Sequence, residues 1–228
     1  MNKFLYQLNG YEAKRKRLLK KAPAGIVKDY LSVPFPSPDE LINNCKIIAL
    51  DFETTGLDPN KDKLLSVGFV EMQGNEILIS TAYHQIIRTN EALKAENVII
   101  HRITDDAKDA GMALKEVVDH LLEALAGKVM LVHFHNIEKQ FLNKACQLLY
   151  GMPIIFPIID TLFVEKRKLD KKDIGYDSSE LRLSSLRDRH ELPEHRAHNA
   201  LTDAIATAEL FLAQTSNSGE TKLEQVLL

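Results

Sequence analysis

Tryptophan is absent from this sequence, and cysteine occurs only twice in 228 residues. Cys45 and Cys146 lie far apart in the chain. They therefore form neither the dense disulfide framework of small secreted proteins nor the closely spaced thiol pairs of a zinc site. We expect both to be reduced thiols that are packed in the interior.

Long apolar runs are also missing. No stretch approaches the roughly 20 apolar residues that a membrane-spanning helix needs. The N-terminal segment MNKFLYQLNGYEAKRKRLLKK lacks the apolar centre of a signal peptide. We therefore expect a cytoplasmic protein without a membrane partner.

Neither sign of charge is in large excess. The formal net charge of -3 excludes a uniformly basic nucleic-acid coat, but it does not exclude a local basic groove. The content of 45% hydrophobic and 27% charged residues is typical of a globular protein and not of a disordered one. The length suits one large domain, or a domain with a small appendage.

The pattern along the chain divides it into three segments. Residues 1–45 combine a helical stretch that carries the basic run KRKRLLKK with the Pro-rich stretch VPFPSPDE, which predicts a helical extension and an extended connector. Residues 46–215 form the main domain. Residues 216–228 predict a C-terminal tail that begins as a linker and is free to fray.

The order of strands and helices in the main domain predicts an α/β fold. KIIALDFE, KLLSVGFVEMQ and EILISTAYHQII are three consecutive predicted strands. DDAKDAGMALKEVVDHLLEALAG predicts one amphipathic helix, and KVMLVH and IIFPIID predict two further strands between helices. A meander followed by such alternation predicts a mixed sheet with helices on its faces.

Four carboxylates stand at the ends of apolar segments. Asp51 and Glu53 follow the apolar run IIAL, and their charges would lie side by side because alternate residues of a strand share a face. Buried carboxylates need a partner or a cation, and sites in α/β sheets lie at the carboxyl ends of strands. Glu138 and Asp203 each lie near the start of a helix, where the helix dipole alone is the better explanation for either one.

Taken together, the segments DFETTGLDP, HFHNIEKQFL and HNALTDA resemble the three motifs of the DEDD-type 3′–5′ exonucleases, in the branch with a histidine before the last aspartate. This family includes the proofreading epsilon subunit of bacterial DNA polymerase III, ribonuclease T and oligoribonuclease. The resemblance runs from about residue 46 to about residue 214 and implies a ribonuclease H-like mixed sheet flanked by helices.

The second motif departs from the family pattern His-Asn-x-x-Phe-Asp-x-x-Phe-Leu. An alignment that starts at His133 places Ile137 at the phenylalanine and Glu138 at the aspartate. An alignment that starts at His135 leaves no carboxylate at the required step, so we prefer the first register. Glutamate keeps the charge but adds one methylene, which we expect to alter the metal geometry or preference.

The resemblance implies two divalent metal ions, Mg²⁺ or Mn²⁺, held by four carboxylates: Asp51, Glu53, Glu138 and Asp203. Hard cations prefer oxygen ligands and would relieve the repulsion between the two acids of the first strand. His198 is the implied general base, and histidine suits that role near neutral pH. His195 is interpreted as a solvated loop histidine.

Further residues are implied to contact the terminal nucleotide: Thr54, Thr55, Gly56, Leu57 and His101. Arg102 stands where the family has a glycine, and Asp160 is interpreted as structural and not as a ligand. The basic runs 14–21 and 166–172 are equally consistent with solvated faces and with a groove for phosphates.

The leading hypothesis is a two-metal-ion 3′–5′ exonuclease that hydrolyses single-stranded or frayed 3′ ends of DNA to nucleoside monophosphates. An exoribonuclease that trims RNA 3′ ends is the first alternative, because no motif reports on the 2′-hydroxyl. A non-catalytic nucleic-acid-binding subunit of the same fold is the second. A polymerase or other protein partner is left open.

Overall fold

The computed structural model describes residues 3–89, 103, 105–216 and 220–228. The strands of this part are β1 (Lys46–Thr54), β2 (Leu64–Gln73), β3 (Glu76–Ile86), β4 (Val129–Val132) and β5 (Ile158–Asp160). Its α-helices are α1 (Lys3–Leu19), α2 (Ile26–Ser32), α3 (Asp105–Asp109), α4 (Leu114–Leu125), α5 (Asn136–Tyr150), α6 (Thr161–Lys171), α7 (Leu183–Arg189) and α8 (Ala200–Thr215). Short 3₁₀ turns span Ile42–Asn44, Ser178–Leu181 and Leu223–Gln225.

The five strands form one mixed sheet in the order β3-β2-β1-β4-β5. The first three strands pair antiparallel as a meander. The last two run parallel to β1, each beside the previous one. The predicted mixed α/β sheet is therefore confirmed, and β1 lies at its centre.

The central strand β1 is buried on both faces. Ile48 and Leu50 pack in the same core as residues of α4 and α5, whereas Ile47 and Ala49 pack in the core that includes α8. Successive side chains of a strand point to opposite faces, so Asp51 continues the face that α8 covers. Helices on both faces explain why the strand reads as a continuous apolar run.

Helix α8 lies very close to the sheet at Gly68. A Cβ atom at this position would lie 2.0 Å from the backbone nitrogen of Leu201. Gly68 is the residue of β2 that pairs with Asp51 of β1. The close approach therefore brings the first turn of α8, which carries Asp203, over the acidic end of β1.

The single helix predicted for residues 105–127 is wrong, because the structure divides it into α3 and α4. Between them, the Met112 N–H donates to the Ile86 carbonyl, and the Arg88 N–H donates to the Met112 carbonyl. These bonds extend the edge of β3. The backbone groups of Met112 pair with a strand and cannot also continue a helix.

Both terminal segments pack against the sheet domain. Helix α2, which we did not predict, buries Tyr30 and Leu31 in the core beside α4, and the Tyr30 hydroxyl donates to the Ile155 carbonyl at 2.8 Å. The expectation that the C-terminal tail frays is wrong for residues 220–228, because Leu227 is buried and the Leu228 N–H donates to β5. The domain boundaries at residues 45 and 215 stay predictions.

Two expectations from the composition can be compared with the structure. Cys45 and Cys146 are free and buried, as predicted. Among the described helices, none has the length and apolar character needed to cross a membrane. The cytoplasmic location stays a prediction.

Candidate active site

Three carboxylates meet at the carboxyl end of β1. Asp51, Glu53 and Asp203 each offer one oxygen, and these atoms lie within 4.8 Å of one another. The first two project from one face of the strand, and the third comes from the first turn of α8 above that face. The close approach of α8 at Gly68 makes this convergence possible.

The start of α8 orients the carboxylate of Asp203. The Asn199 side chain caps the helix by accepting a hydrogen bond from the Thr202 N–H at 3.1 Å. The His198 N–H donates to Oδ2 of Asp203 at 2.8 Å. His198 has a φ of 67°, so the chain turns sharply before the helix and directs this N–H at the carboxylate.

Glu138 approaches the same cluster from the first turn of α5. It lies outside the 4.8 Å group, but its charge acts directly on Asp51. The side chain is 2% exposed, and its Oε2 atom receives no hydrogen bond from the described residues. Burying such an oxygen without a partner is costly. This placement favours the register that aligns the second motif from His133.

The electrostatics of the cluster disfavour its charged state. Burial raises the pKa of Asp51 well above its usual range, and the charges of Glu138, Asp203 and Glu53 raise it further. Burial also raises the pKa of Glu138 and of Asp203, although the hydrogen bond from His198 opposes the shift of Asp203. Acids that share a site repel one another in this way unless a cation compensates them.

The donor set fits a hard divalent cation. Asp51, Glu53 and Asp203 offer carboxylate oxygens, the ligands that Mg²⁺ and Mn²⁺ prefer, and Glu138 adds a buried carboxylate outside the 4.8 Å group. The oxygen of Glu138 without a hydrogen bond and the raised pKa values are both explained by a cation at this place. The residues present therefore fit the metals that the sequence predicts, while the structure does not identify the ion.

Two histidines lie near Asp203 and differ in exposure. His195 is only 11% exposed, and its Nε2 lies 3.0 Å from Oδ1 of Asp203. The side chain of His198 is exposed, while its backbone holds the other oxygen of the same carboxylate. The interpretation of His195 as a solvated loop histidine is therefore wrong. A role for either imidazole in the chemistry stays a prediction.

The sequence of residues 48–211 matches the profile of the exonuclease family RNase_T. This chain belongs to that family, and it is a DEDD-type 3′–5′ exonuclease, a class of phosphodiester hydrolases. The resemblance seen in the three motifs is confirmed.

Two curated relatives show how this exonuclease relates to replication proteins. A PolC-type DNA polymerase III of Thermotoga maritima is 30% identical over 193 residues, which are 83% of this chain but 14% of that polymerase. A DNA polymerase III subunit epsilon of Treponema pallidum is 28% identical over 163 residues, which are 72% of this chain and 73% of the subunit. The exonuclease thus spans a small part of the PolC-type relatives and most of the epsilon subunit.

A solved structure shares the fold. The nuclease domain of 3′hExo, described as a DEDDh family member bound to rAMP, has a TM-score of 0.64 to this chain at 19% identity. The match covers 78% of this chain and 95% of that domain. The predicted ribonuclease H-like fold is therefore confirmed.

The loop after β1 in this exonuclease is tied down by Asp62. The Thr55 hydroxyl donates to Oδ1 of Asp62 at 3.2 Å, and the Asp58 N–H donates to Oδ2 at 2.9 Å. A Cβ atom on Gly56 would lie 2.5 Å from the same carboxylate, so a side chain there would displace the group that closes the loop. Asp62 was not among the predicted residues, although the turn-forming stretch DPNKD is typical of a hydrogen-bonded loop.

Two further residues of this loop close its turn and form its tip. The Thr54 hydroxyl donates to the Gly56 carbonyl at 2.7 Å and closes the turn. Leu57 stands at the loop tip, 75% exposed. His101, the other predicted nucleotide contact, and Arg102 lie outside the described residues. Contact of any of these residues with a nucleotide stays a prediction.

Asp160 is a structural residue, as expected. It is fully buried at the end of β5 and accepts hydrogen bonds from the backbone N–H groups of Phe134, His135 and Leu162, and from Nδ1 of His135. Burial opposes its ionisation, but these bonds hold its pKa below the usual range. Asp160 thereby fixes the loop that leads into α5 and Glu138.

Some cations of each basic run form contacts within the protein. Arg15, in the first run, is buried and pairs with Glu12 at 2.6 Å. In the second run, Lys166 pairs with Asp170 at 3.0 Å, and Lys168 donates to a backbone carbonyl of α8. These contacts give part of each run a structural role, whereas Lys14, Arg17, Lys20 and Lys21 are exposed, so the choice between a solvated face and a groove for phosphates stays open.

Proposed function

We propose that this exonuclease uses two divalent ions to hydrolyse single-stranded or frayed 3′ ends of DNA and to release nucleoside monophosphates. The convergence of Asp51, Glu53 and Asp203 within 4.8 Å is the observation that carries the proposal. The buried Glu138 completes a set of four carboxylates. Apolar residues would stabilise this part of the fold better than buried carboxylates do. The carboxylates therefore indicate a function and not a structural role.

The four carboxylates would hold the ions. When bound, two such ions neutralise charge on the scissile phosphate and lower the pKa of the attacking water. His198 would accept the proton of that water, because its imidazole is exposed and its backbone N–H donates to Asp203, which places this residue beside the carboxylates. His195 orients the Asp203 carboxylate through the contact of 3.0 Å.

The loop of Thr54, Thr55, Gly56 and Leu57 would receive the 3′-terminal nucleotide. Its closed turn offers backbone groups to the sugar and phosphate, and the exposed Leu57 offers an apolar contact to a base. DNA as the substrate rests on the relatives, which are named as DNA polymerase III or its epsilon subunit. A polymerase partner rests on the same names.

The test compares 5′-labelled single-stranded DNA, duplex DNA and RNA of one sequence, each with Mg²⁺, Mn²⁺ or EDTA. We expect a ladder of shortened products from single-stranded DNA with either metal and none with EDTA. Asp51→Asn should reduce the rate by orders of magnitude because it removes a charged ligand from the centre of the cluster. Asp188→Asn, on the exposed side of α7, is the matched control and should cut normally.

Each other outcome has a defined meaning. Degradation of RNA but not of DNA would replace the proposed substrate with the exoribonuclease alternative. No degradation of any strand by the folded protein would support the non-catalytic binding subunit. Normal cutting by Asp51→Asn would remove the metal assignment.

A further inference from the structure

One aromatic residue at the active-site edge is both exposed and held in an unfavourable backbone conformation. Phe134 follows β4 with a φ of 69°, and it is 45% exposed. The left-handed region is disfavoured for a bulky residue because its Cβ approaches the following carbonyl. A half-exposed ring also gains only part of the free energy of burial. Folding alone therefore does not account for phenylalanine at this position.

The conformation of Phe134 is imposed by Asp160. The Phe134 N–H donates to Oδ1 of Asp160 at 3.1 Å, and the His135 N–H donates to Oδ2 at 2.9 Å. The His135 ring is anchored to the same carboxylate, and its centroid lies 5.4 Å from that of Phe163 in an edge-on contact. These contacts restrain the backbone at Phe134 and His135. The side chain of Phe134 is therefore attached to a rigid part of the backbone.

The position of Phe134 is beside the acidic cluster. Strand β4 pairs in parallel with β1, and Leu131 lies opposite Ala49. Strand β4 ends one residue beyond this pair, at Val132, and His133 follows it on the strand that neighbours β1 at a spacing of roughly 5 Å. Phe134 is the next residue, and the helix that carries Glu138 begins two residues later.

Leu57 marks the same edge from the other strand. Six large hydrophobic residues are exposed in the described part of the chain, and two of them follow a strand at its carboxyl end: Leu57 after β1 and Phe134 after β4. Asp51 and Glu53 lie on β1 just before the loop of Leu57, and Glu138 lies in the first turn of the helix that follows Phe134. Exposed apolar side chains in the loops that adjoin these acids match the flat faces of nucleobases.

We propose that Phe134 is a stacking platform for a nucleobase next to the scissile phosphodiester, an inference that rests on the proposed exonuclease function. In the family motif this position is asparagine, a residue that tolerates the left-handed region well. This chain instead has a strained aromatic residue there. Because base–aromatic stacking is insensitive to sequence, Phe134 would hold any single strand. The strained backbone conformation would be retained because it orients the ring for stacking on the nucleobase.

The test separates stability from binding. Phe134→Asn and Phe134→Gly relieve the backbone strain, so we expect both to raise the melting temperature while they weaken binding of single-stranded DNA about tenfold. Phe134→Tyr should retain binding because it keeps the ring. Binding is measured with Ca²⁺ and oligonucleotides that carry 2-aminopurine at the terminal or penultimate 3′ position, whose fluorescence the ring should quench in wild type and not in Phe134→Asn.

A second substrate isolates the stacked base. An oligonucleotide with abasic sites at both 3′-terminal positions should bind wild type about tenfold more weakly than the intact strand. The same change should have little effect on Phe134→Asn, since the ring is already missing. In steady-state assays the variant should raise KM more than it lowers kcat.

Three outcomes would overturn the proposal. If wild type degrades DNA but Phe134→Asn binds and quenches equally well, Phe134 does not stack and the exonuclease function stands. If both Phe134→Asn and Phe134→Gly melt at lower temperature than wild type, the ring serves the fold and the strain has no functional purpose. If wild type neither binds nor degrades any strand, the proposed function fails, and the role of Phe134 fails with it.

Discussion

At the scale of single residues, Glu138 is the site residue that departs from the family motif. It is one methylene longer than the aspartate of the motif, and it comes from the first turn of α5, whose entry loop is fixed by Asp160. We expect the backbone of this helix to lie at a distance from the cluster that suits the longer side chain. A glutamate has more rotamers than an aspartate, so the oxygen it offers is less firmly placed.

This flexibility leads to a prediction about metal preference. Mg²⁺ demands near-ideal octahedral geometry at about 2.0–2.1 Å, whereas larger ions tolerate displaced ligands. We expect Mn²⁺ to support more activity than Mg²⁺, Glu138→Gln to be nearly inactive, and Glu138→Asp to be at most partly active. Metal titrations of initial rate measure this, and Glu123→Gln, on the exposed side of α4, is the control. A fully active Glu138→Gln would show that the second motif is aligned incorrectly.

The two histidines show how a residue can be correctly placed in the chain and wrongly interpreted. His195 and His198 are three residues apart in one loop, and composition does not distinguish them. The structure places the ring of His195 against Asp203, while it is the backbone of His198 that contacts this acid. Between His195 and the helix that carries Asp203, the residue with a left-handed backbone is His198, with a φ of 67°.

At the scale of secondary-structure elements, the contact between α8 and β2 decides whether the cluster forms. Gly68 leaves room for the backbone of Ala200 and Leu201, and it pairs with Asp51 across the sheet. Any side chain there would push the start of α8 outward. Because Asp203 is in that first turn, its carboxylate would move away from Asp51 and Glu53.

Gly68→Ala should therefore damage both stability and activity. A Cβ atom 2.0 Å from the Leu201 nitrogen is far inside contact distance, and overpacking of this kind costs about 1–3 kcal/mol or more. Gly10→Ala is the matched control, since its Cβ would meet nothing within 4 Å in α1 and alanine favours helix by about 0.5–1 kcal/mol. Urea unfolding and exonuclease rates measure both effects. Equal unfolding free energies for Gly68→Ala and wild type would contradict the close packing.

At the scale of the whole molecule, the acidic cluster couples stability to pH and to metal. Glu138 has a raised pKa in the fold, so the native state keeps its proton at pH values where the unfolded chain has lost it. The contribution of this group is thus fully present below the ordinary glutamate pKa of about 4.3 and is lost as pH rises through its raised value. A bound cation removes the penalty at neutral pH.

Glu138→Gln should consequently stabilise the metal-free protein, and increasingly so from pH 5 to pH 8. The stabilisation should be largest at the alkaline end, because there wild type must ionise the Glu138 carboxyl in a buried site. Mn²⁺ should raise the melting temperature of wild type much more than that of the variant. Thermal unfolding with EDTA or Mn²⁺ at several pH values measures both.

The comparison of wild type with Glu138→Gln at each pH controls for the other groups that titrate. His133, whose pKa burial lowers to about 4, has the opposite effect, because the unfolded chain takes up its proton first on acidification. The contribution of Asp160 to the stability of the fold is also lost on acidification, because its pKa is lowered in the folded protein. Both are present in wild type and in the variant. If the difference in stability between wild type and Glu138→Gln does not change with pH, ionisation of Glu138 does not destabilise the folded protein.

The sequence by itself determined the elements whose signals are local. The apolar run before Asp51 predicted β1, helical spacing and Gly151 predicted α5, and the motifs identified the acids that the structure brings together. Each of these features depends on residues within one strand or one helix. Periodicity and turn residues report on such local structure directly.

Only the tertiary structure decided the features whose partners are distant in the chain. The C-terminal residue Leu228 bonds to Ile158, the break before α4 depends on a bond between Met112 and Ile86, and α2 is a helix packed on α4. The position of Phe134 depends in the same way on Asp160, a residue in another strand. Burial and hydrogen bonds between remote segments override local propensity, because the free energy comes from the contact and not from either segment alone.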